Sequence, residues 1–279
     1  MKVSIIIPTK DKNSRLRLVL QALEPQLNNE TEVIIVFDGC SQSTLDEFDK
    51  IPFSFSPVKI ICKTNIGRAA ARNAGIKKAR GDIVLFLDDD RIPCTGFVRM
   101  HEEGHRQKCV LIGGRMDVLL TENEIGDLFH TGILGRGTAF LESKVLRKKA
   151  NSGIPVMRGS PLNWLTFFTG NVSVERECLN RAGGFDEDFK GWGHEDIDLG
   201  IRLCRLGVCY RREKNAVNYH ILHESNFMDK REESLKNLRH MINKYKKDFF
   251  LCLVLKAFYI KHKLIGLNEC RYLIKKRGS

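Results

Sequence analysis

Three consecutive carboxylates, Asp88-Asp89-Asp90, close the apolar run Ile83 to Leu87. Like charges gathered at a buried strand end repel one another unless a cation or a hydrogen-bond network compensates them. Oxygen donors of this kind suit Mg²⁺ or Mn²⁺, which bridge carboxylates to substrate phosphates. In an extended segment alternate side chains share a side, so Asp88 and Asp90 are expected together and Asp89 elsewhere. The plain counterpart is a solvated acidic turn; location at the end of a core strand favours the metal. A second acidic pair, Glu195-Asp196, follows Gly191-Trp192-Gly193-His194 and opens a stripe of Leu199, Leu203 and Leu206. Alone it reads as helix N-terminal capping, and the macrodipole there favours an ionised Asp196 near neutral pH. Past that helix, His220 and His223 read equally as structural or metal-ligating side chains.

Elements that place these groups are legible in the first half. Val3 to Ile7 is a β-branched run, and Leu16, Val19, Leu20 and Leu23 recur at helical spacing before Pro25. Glu32 to Phe37 is a second strand closed by Asp38-Gly39, Ile60 and Ile61 mark a third, and Asn65 to Ala79 reads as a helix ended near Gly81. Ile83 to Leu87 is apolar throughout, as in a strand buried on both faces of a parallel sheet. This alternation predicts a three-layer α/β fold with ligands at the carboxyl ends of the strands. Pro8, Thr9, Asp38, Arg68 and Arg72 converge on that edge and fit a nucleotide, Asp38 accepting from a base N–H and an arginine meeting phosphate. From Thr121 to Trp164 periodicity fades, and loops are expected; Phe167 to Val174 restores order, and a basic amphipathic helix begins near Glu232.

Composition narrows the class. The 279 residues, 42% apolar and 29% charged, suffice for a large core without staples. Nine cysteines, odd in number and lacking a C-x-x-C pair, fit reduced thiols. The best apolar stretch, Phe249 to Ile260, is short for a bilayer span and carries Lys256. With no secretory signal visible, a cytoplasmic protein is expected. Of the net +12, most lies in 226–279, where 14 Lys and Arg face 5 Asp and Glu. Such a tail suits an anionic surface, and peripheral contact with the inner membrane face is one expectation. No aromatic–basic interleaving supports nucleic acid.

The run Val3-Ser4-Ile5-Ile6-Ile7-Pro8-Thr9, then Val36-Phe37-Asp38-Gly39, Asn65-Ile66-Gly67 with Ala71-Arg72-Asn73-Ala74-Gly75, and Leu85-Phe86-Leu87-Asp88-Asp89-Asp90, resembles family 2 glycosyltransferases of the GT-A fold in order and spacing. Phe168-Thr169-Gly170-Asn171-Val172-Ser173 through Gly184-Phe185-Asp186 to Gly191-Trp192-Gly193-His194-Glu195-Asp196 is similar to the C-terminal half of animal galactosyltransferases and their bacterial relatives. The resemblance covers Lys2 to Ser225. It implies a GT-A (Rossmann-like) domain over 1–225, with a nucleotide-sugar half at 1–115 and an acceptor and catalytic half at 116–225, followed by a basic helical extension at 226–279. It further implies that Asp38 reads the uracil of a UDP-sugar and that Pro8, Thr9, Arg68, Arg72, Asp88 and Asp89 line the donor. Asp88, Asp90 and His223 or His220, the former slightly favoured, would hold Mn²⁺ or Mg²⁺. Asp196 would be the catalytic base, while Trp192, Gly193, Glu195 and Asn171 would face the sugars. Phe37 stands where many relatives carry a further aspartate, and His194 replaces a glycine of the animal enzymes, so its backbone must accept a side chain.

Inverting transfer needs a base on the acceptor hydroxyl and electrostatic help for the departing diphosphate, and one carboxylate plus a metal supplies both. The expectation is a UDP-sugar-dependent hexosyl or N-acetylhexosaminyl transferase acting on a glycan, glycolipid or protein acceptor. The alternatives are a nucleotidyltransferase sharing the sheet and metal, and a non-catalytic protein binding anionic ligands or a membrane surface.

Overall fold

A computed structural model of the chain describes residues 2–133, 136–150, 156–223 and 227–277. Four strands, β1 (Val3–Thr9), β2 (Thr31–Asp38), β3 (Val58–Cys62) and β4 (Ile83–Leu87), pair in parallel in the order β3-β2-β1-β4. Helices α1 (Asn13–Leu23), α2 (Gln42–Asp49) and α3 (Arg68–Lys78) make the crossovers. Because successive strand side chains point to opposite faces, Ile5, Ile7, Leu85 and Leu87 join one buried cluster and Ile6, Val84 and Phe86 another. Each fully buried side chain of this size contributes about 1.5–3 kcal/mol. Gly75 lets α3 approach β1 closely: a Cβ there would come within 2.5 Å of Ile6 Cγ2.

The sheet continues through segments that carry little sequence signal. β5 (Arg91–Pro93), α4 (Phe97–Gly104) and β6 (Cys109–Val118) come next in the chain. The strand order runs on from β4 as β8-β6-β9-β5, with β8 (Asn171–Glu175) antiparallel to both neighbours and β9 (Cys209–Ile221) parallel to β6. The expected GT-A type of α/β sheet is present.

Several boundaries differ from expectation. Helix α3 starts at Arg68 rather than Asn65, because Gly67 sits at φ +89° and the N–H groups of Ile66 and Gly67 donate to the Asp38 carboxylate. The region expected as loops contains α5 (Glu122–Thr131), α6 (Arg136–Ser143) and β7 (Val145–Ala150), which pairs with β6. A reciprocal capping box between Thr121 and Glu124 starts α5. Of the order expected over Phe167 to Val174, only the part from Asn171 onward is regular, as β8, while a 3₁₀ turn at Asn163–Thr166 precedes the span.

After α7 (Arg176–Ala182) comes α8 (Glu195–Arg205), against which the C-terminal α9 (Phe227–Lys244) and α10 (Phe249–Arg277) pack. Trp164, Phe189, Ile197, Ile201, Leu238, Met241 and Leu255 form their shared core. The expected 225/226 boundary lies outside the described residues. No described helix is long and apolar enough to cross a membrane.

Candidate active site

A cavity of about 970 Å³ opens at the carboxyl end of β4 and is bounded by Asp88 and Asp90 on one side and Trp192, Glu195 and Asp196 on another. Two elements bring these walls together. Antiparallel pairing of β5 with β9 sets Arg91 beside His220, and Ile221 N–H donates to the Asp90 carbonyl at 2.9 Å. Arg72, on α3 and only 3% exposed, then spans the two acidic groups, Nη2 lying 3.0 Å from Asp88 and Nη1 3.1 Å from Glu195.

The acidic triplet is a turn, not the extended segment expected, as the Arg91 N–H donation to the Asp88 carbonyl shows. Its three side chains accordingly take three surroundings. Asp88 faces Arg72 and, at 3.5 Å, Arg91 Nε. Asp89 accepts from Thr9 Oγ1 at 2.8 Å and from Lys12 Nζ at 3.2 Å. Asp90 contacts Lys12 Nζ at 3.4 Å, and its Oδ2 lies 3.3 Å from His223 Nε2. Burial pushes Asp89 up to about 6, whereas the contact with His223 and the nearby Lys12 overcome burial and hold Asp90 far below the ordinary carboxylate range.

On the opposite wall, Gly191, Gly193 and His194 all adopt positive φ, the last at +75°, and turn the chain into α8. His194 thus occupies a left-handed position that a glycine would hold without strain. Its ring Nε2 lies 2.8 Å from Ser234 Oγ, and burial lowers its pKa to about 4, leaving it neutral. Asp196 departs from the ionised state expected of the helix dipole. Burial, reinforced by the Glu195 carboxylate, pushes it up to about 7 despite Arg72 and an N–H bond from Ile197. A carboxylate tuned near neutrality is well matched to general-base work.

Of the residues singled out from the sequence, Arg68, Arg72, Asp88, Asp90, Trp192, Gly193, Glu195, Asp196, His220 and His223 line this cavity. Asp38, Pro8, Thr9 and Asp89 do not; Asp38 is 6% exposed and accepts from the backbone of Ile66 and Gly67. Asn171, expected against the acceptor, is fully buried, its amide donating to the Gly114 and Ala216 carbonyls and its oxygen facing His101. That residue holds the sheet together instead. The two histidines also separate: His220 Nδ1 lies 3.0 Å from Asp117 and its Nε2 stands 4.0 Å from Asp90, against 3.3 Å for His223.

Residues missed by sequence reading supply most of the positive charge. Arg91, Arg115 and Lys230 line the cavity, and Lys12 reaches the triplet from the start of α1. Arg91 is 8% exposed, and its Nη1 has no hydrogen-bond partner among the described residues. Adjacency to the triplet was the available signal for Arg91. Nothing local marked Lys230, which the fold returns to the cavity from α9.

A divalent cation fits this donor set. Two octahedral cis ligands lie about 3 Å apart, close to the Asp90–His223 separation, and Mg²⁺ or Mn²⁺ keeps positions open for phosphate and water. Among the described residues, tighter groups of three ligand atoms occur only away from this cavity, at His105, Cys109 and Glu175 and at Asp186, Asp188 and His240.

Comparison with known proteins assigns the family of this α/β chain. Residues 4–157 match the family described as glycosyl transferase family 2, and residues 158–224 match the N-terminal domain of galactosyltransferase. The chain belongs to glycosyl transferase family 2. It is 29% identical to an uncharacterized glycosyltransferase of Bacillus subtilis, over 88% of this chain and 71% of that protein. An uncharacterized glycosyltransferase of Haemophilus influenzae is 38% identical over 66% of this chain and 74% of its own length. The chondroitin synthase of Pasteurella multocida is 29% identical over 78% of this chain, which spans only 24% of that enzyme. In fold, the chain is similar to Staphylococcus aureus TarS 1-349 in complex with UDP-GlcNAc, with a TM-score of 0.62, 20% identity, and coverage of 87% of this chain and 66% of that one. The mannosyltransferase PcManGT of Pyrobaculum calidifontis, in complex with GDP-Man and Mn²⁺, gives a TM-score of 0.59 at 17% identity, over 92% of this chain and 69% of that one.

Proposed function

We propose that the protein is a metal-dependent, inverting glycosyltransferase that moves a hexose or N-acetylhexosamine from a UDP-sugar to an acceptor hydroxyl of a glycan, glycolipid or protein. The observation that carries this reading is the shared cavity: Asp88 and Asp90 face Trp192 and Asp196 across it, with Arg72 between them. UDP-GlcNAc and Mn²⁺ in structurally similar enzymes support the donor and the metal. On this reading residues 1–225 form the transferase unit and 226–279 an extension of it.

Asp90 and His223 would hold Mn²⁺ or Mg²⁺, with Asp88 behind them. The bound cation would neutralise charge on the diphosphate oxygens, a Lewis-acid role. Arg68, Arg91, Arg115 and Lys230 bring cationic groups to the same cavity, and the buried Arg91 donor suits a phosphate oxygen. Asp196 takes the acceptor proton at a carboxylate oxygen, and Trp192 offers a partly exposed ring to the sugars. Asp38 would act through the Ile66–Gly67 turn and Thr9 through Asp89, the groups they hydrogen-bond.

A screen of nucleotide sugars for UDP release, with and without EDTA, tests the reading. Chelator-sensitive release from at least one UDP-sugar, with an inverted anomeric product, is expected. Pyrophosphate release from nucleoside triphosphates without any sugar turnover would favour the nucleotidyltransferase.

A membrane contact is supported by the outer face of α10. Phe249, Phe250, Leu253 and Ile260 are 85%, 58%, 56% and 57% exposed and alternate with Lys256, Lys261 and Lys263, while 249–263 contains no acidic residue. Apolar and cationic groups interleaved on one helix suit an anionic lipid surface at the cytoplasmic face. Co-sedimentation with phosphatidylglycerol vesicles, absent with phosphatidylcholine and lost in Phe249→Ser/Leu253→Ser, is the expected result.

A further inference from the structure

Among the described residues, the side-chain hydrogen bonds to the 190–194 loop that delivers Trp192 and Asp196 come from one face of α9, beyond the 158–224 segment matched to the galactosyltransferase domain. The His262 ring of α10 adds a contact, its centroid 5.7 Å from that of His194. Glu233 Oε2 accepts the Trp192 N–H at 2.8 Å, and the same carboxylate fills the space where a Cβ on Gly191 would fall, 2.5 Å from Glu233 Cδ. Ser234 Oγ meets the His194 ring at 2.8 Å. Asn237 Nδ2 donates to the carbonyls of Lys190 at 2.9 Å and Gly193 at 2.8 Å, with Trp192 O at 3.4 Å. Positions 233, 234 and 237 share one helical face, so a single rigid element grips five consecutive residues of the loop.

The grip matters because this stretch departs from regular secondary structure and adopts backbone conformations that need outside support. Gly191, Gly193 and His194 occupy left-handed backbone, and a non-glycine residue there persists only when its surroundings over-determine it. Ser234 and Asn237 are 1% and 3% exposed, so their hydrogen bonds form away from competing water. His194 directly precedes α8, and Asp196 is its second residue, so the loop sets the angle at which that carboxylate enters the cavity.

We propose that Glu233, Ser234 and Asn237 are positioning residues for sugar transfer: α9 clamps the 190–194 loop and thereby fixes Trp192 and Asp196 relative to the donor. The proposal rests on the transferase reading above, and its test separates the two. Misplacement by about 1 Å costs on the order of a hundredfold in rate. In Glu233→Ala and Asn237→Ala, amide hydrogen exchange over 189–196 is expected to rise at least about tenfold, with exchange in β1, β4 and β8 unchanged. For UDP-sugar turnover, kcat should fall about ten- to a hundredfold while UDP affinity, read by calorimetry, stays within about twofold. Glu233→Gln keeps an acceptor for the Trp192 N–H and should restore both loop protection and most of kcat. Unchanged exchange at 189–196 would overturn the clamp, as would a general rise in exchange with parallel loss of UDP binding. If the wild type turns over no UDP-sugar, the transferase reading fails, and the exchange measurements with Glu233→Gln still decide whether the clamp exists.

Discussion

Arg72 and Glu195 form an ion pair at 3.1 Å with both side chains almost excluded from water, at 4% and 6% exposure, joining α3 to the first turn of α8. A pair so placed has a cost of desolvation comparable to its attraction, so its net contribution to stability is modest, but removing one partner strands the other. Arg72 also holds Asp88, so Arg72→Ala abandons two carboxylates at once. Urea denaturation is expected to show a loss of about 3–5 kcal/mol. UDP release should fall with it, and Arg72→Lys should rescue little because a point cation cannot span both acids.

Asp196 yields a linked pair of expectations. With its folded pKa near 7 and its unfolded value near that of a free aspartate, the folded state holds the proton longer. Stability from this group is therefore present below about pH 4 and is lost as pH rises through about 7. Activity runs the opposite way: kcat/KM in the acid limb should climb as the carboxylate ionises near pH 7. Asp196→Asn should abolish transfer, leave UDP affinity nearly intact, and be more stable than the wild type at pH 8 by an amount on the order of a few kcal/mol. Retained turnover in the variant would remove Asp196 from the role of base.

The histidines can be told apart by metal titration. His223 faces Asp90, whereas His220 is committed to Asp117 through Nδ1. His223→Ala is expected to raise the Mn²⁺ concentration needed for half-maximal UDP release by about 10–100-fold, and His220→Ala by much less. Asp90→Ala should weaken both the metal requirement and metal-dependent UDP binding; calorimetry showing equal affinity would displace Asp90 from the site.

Asn171 provides the contrasting case of a polar residue that supports the fold. Its amide satisfies two buried carbonyls and its oxygen meets His101, whose pKa burial drives down to about 3. Asn171→Ala leaves these groups unpaired and should cost roughly 2–4 kcal/mol in chemical denaturation. If instead the protein keeps its stability and the acceptor KM alone rises, Asn171 meets the acceptor after all.

Legibility in the sequence tracked the range over which each element is determined. β1, β2 and β4 are decided by local apolar runs, and the acidic triplet and the Trp192 to Asp196 segment announce themselves by type and spacing. β5 and β9 do not, because pairing across more than a hundred residues gives Arg91–Pro93 its strand character. The turn at Asp88–Asp90 and the capping box at Thr121 replaced an expected extension and an expected loop for local reasons that are visible once the backbone is known. The raised pKa of Asp196 depends on burial and on Glu195, and no dipole argument from the helix alone contains either. Lys230, Glu233, Ser234 and Asn237 carried no signal at all, since a basic amphipathic helix can face anything.

Because Glu233 follows Trp192 by 41 residues, the 190–194 loop is synthesised before the helix that grips it. A nascent chain can assemble the parallel sheet and its acidic strand end while the ribosome still holds residues 233–237, and over that interval the loop lacks its tether. The order of synthesis therefore separates the folding of the sheet from the fastening of the loop that carries Trp192.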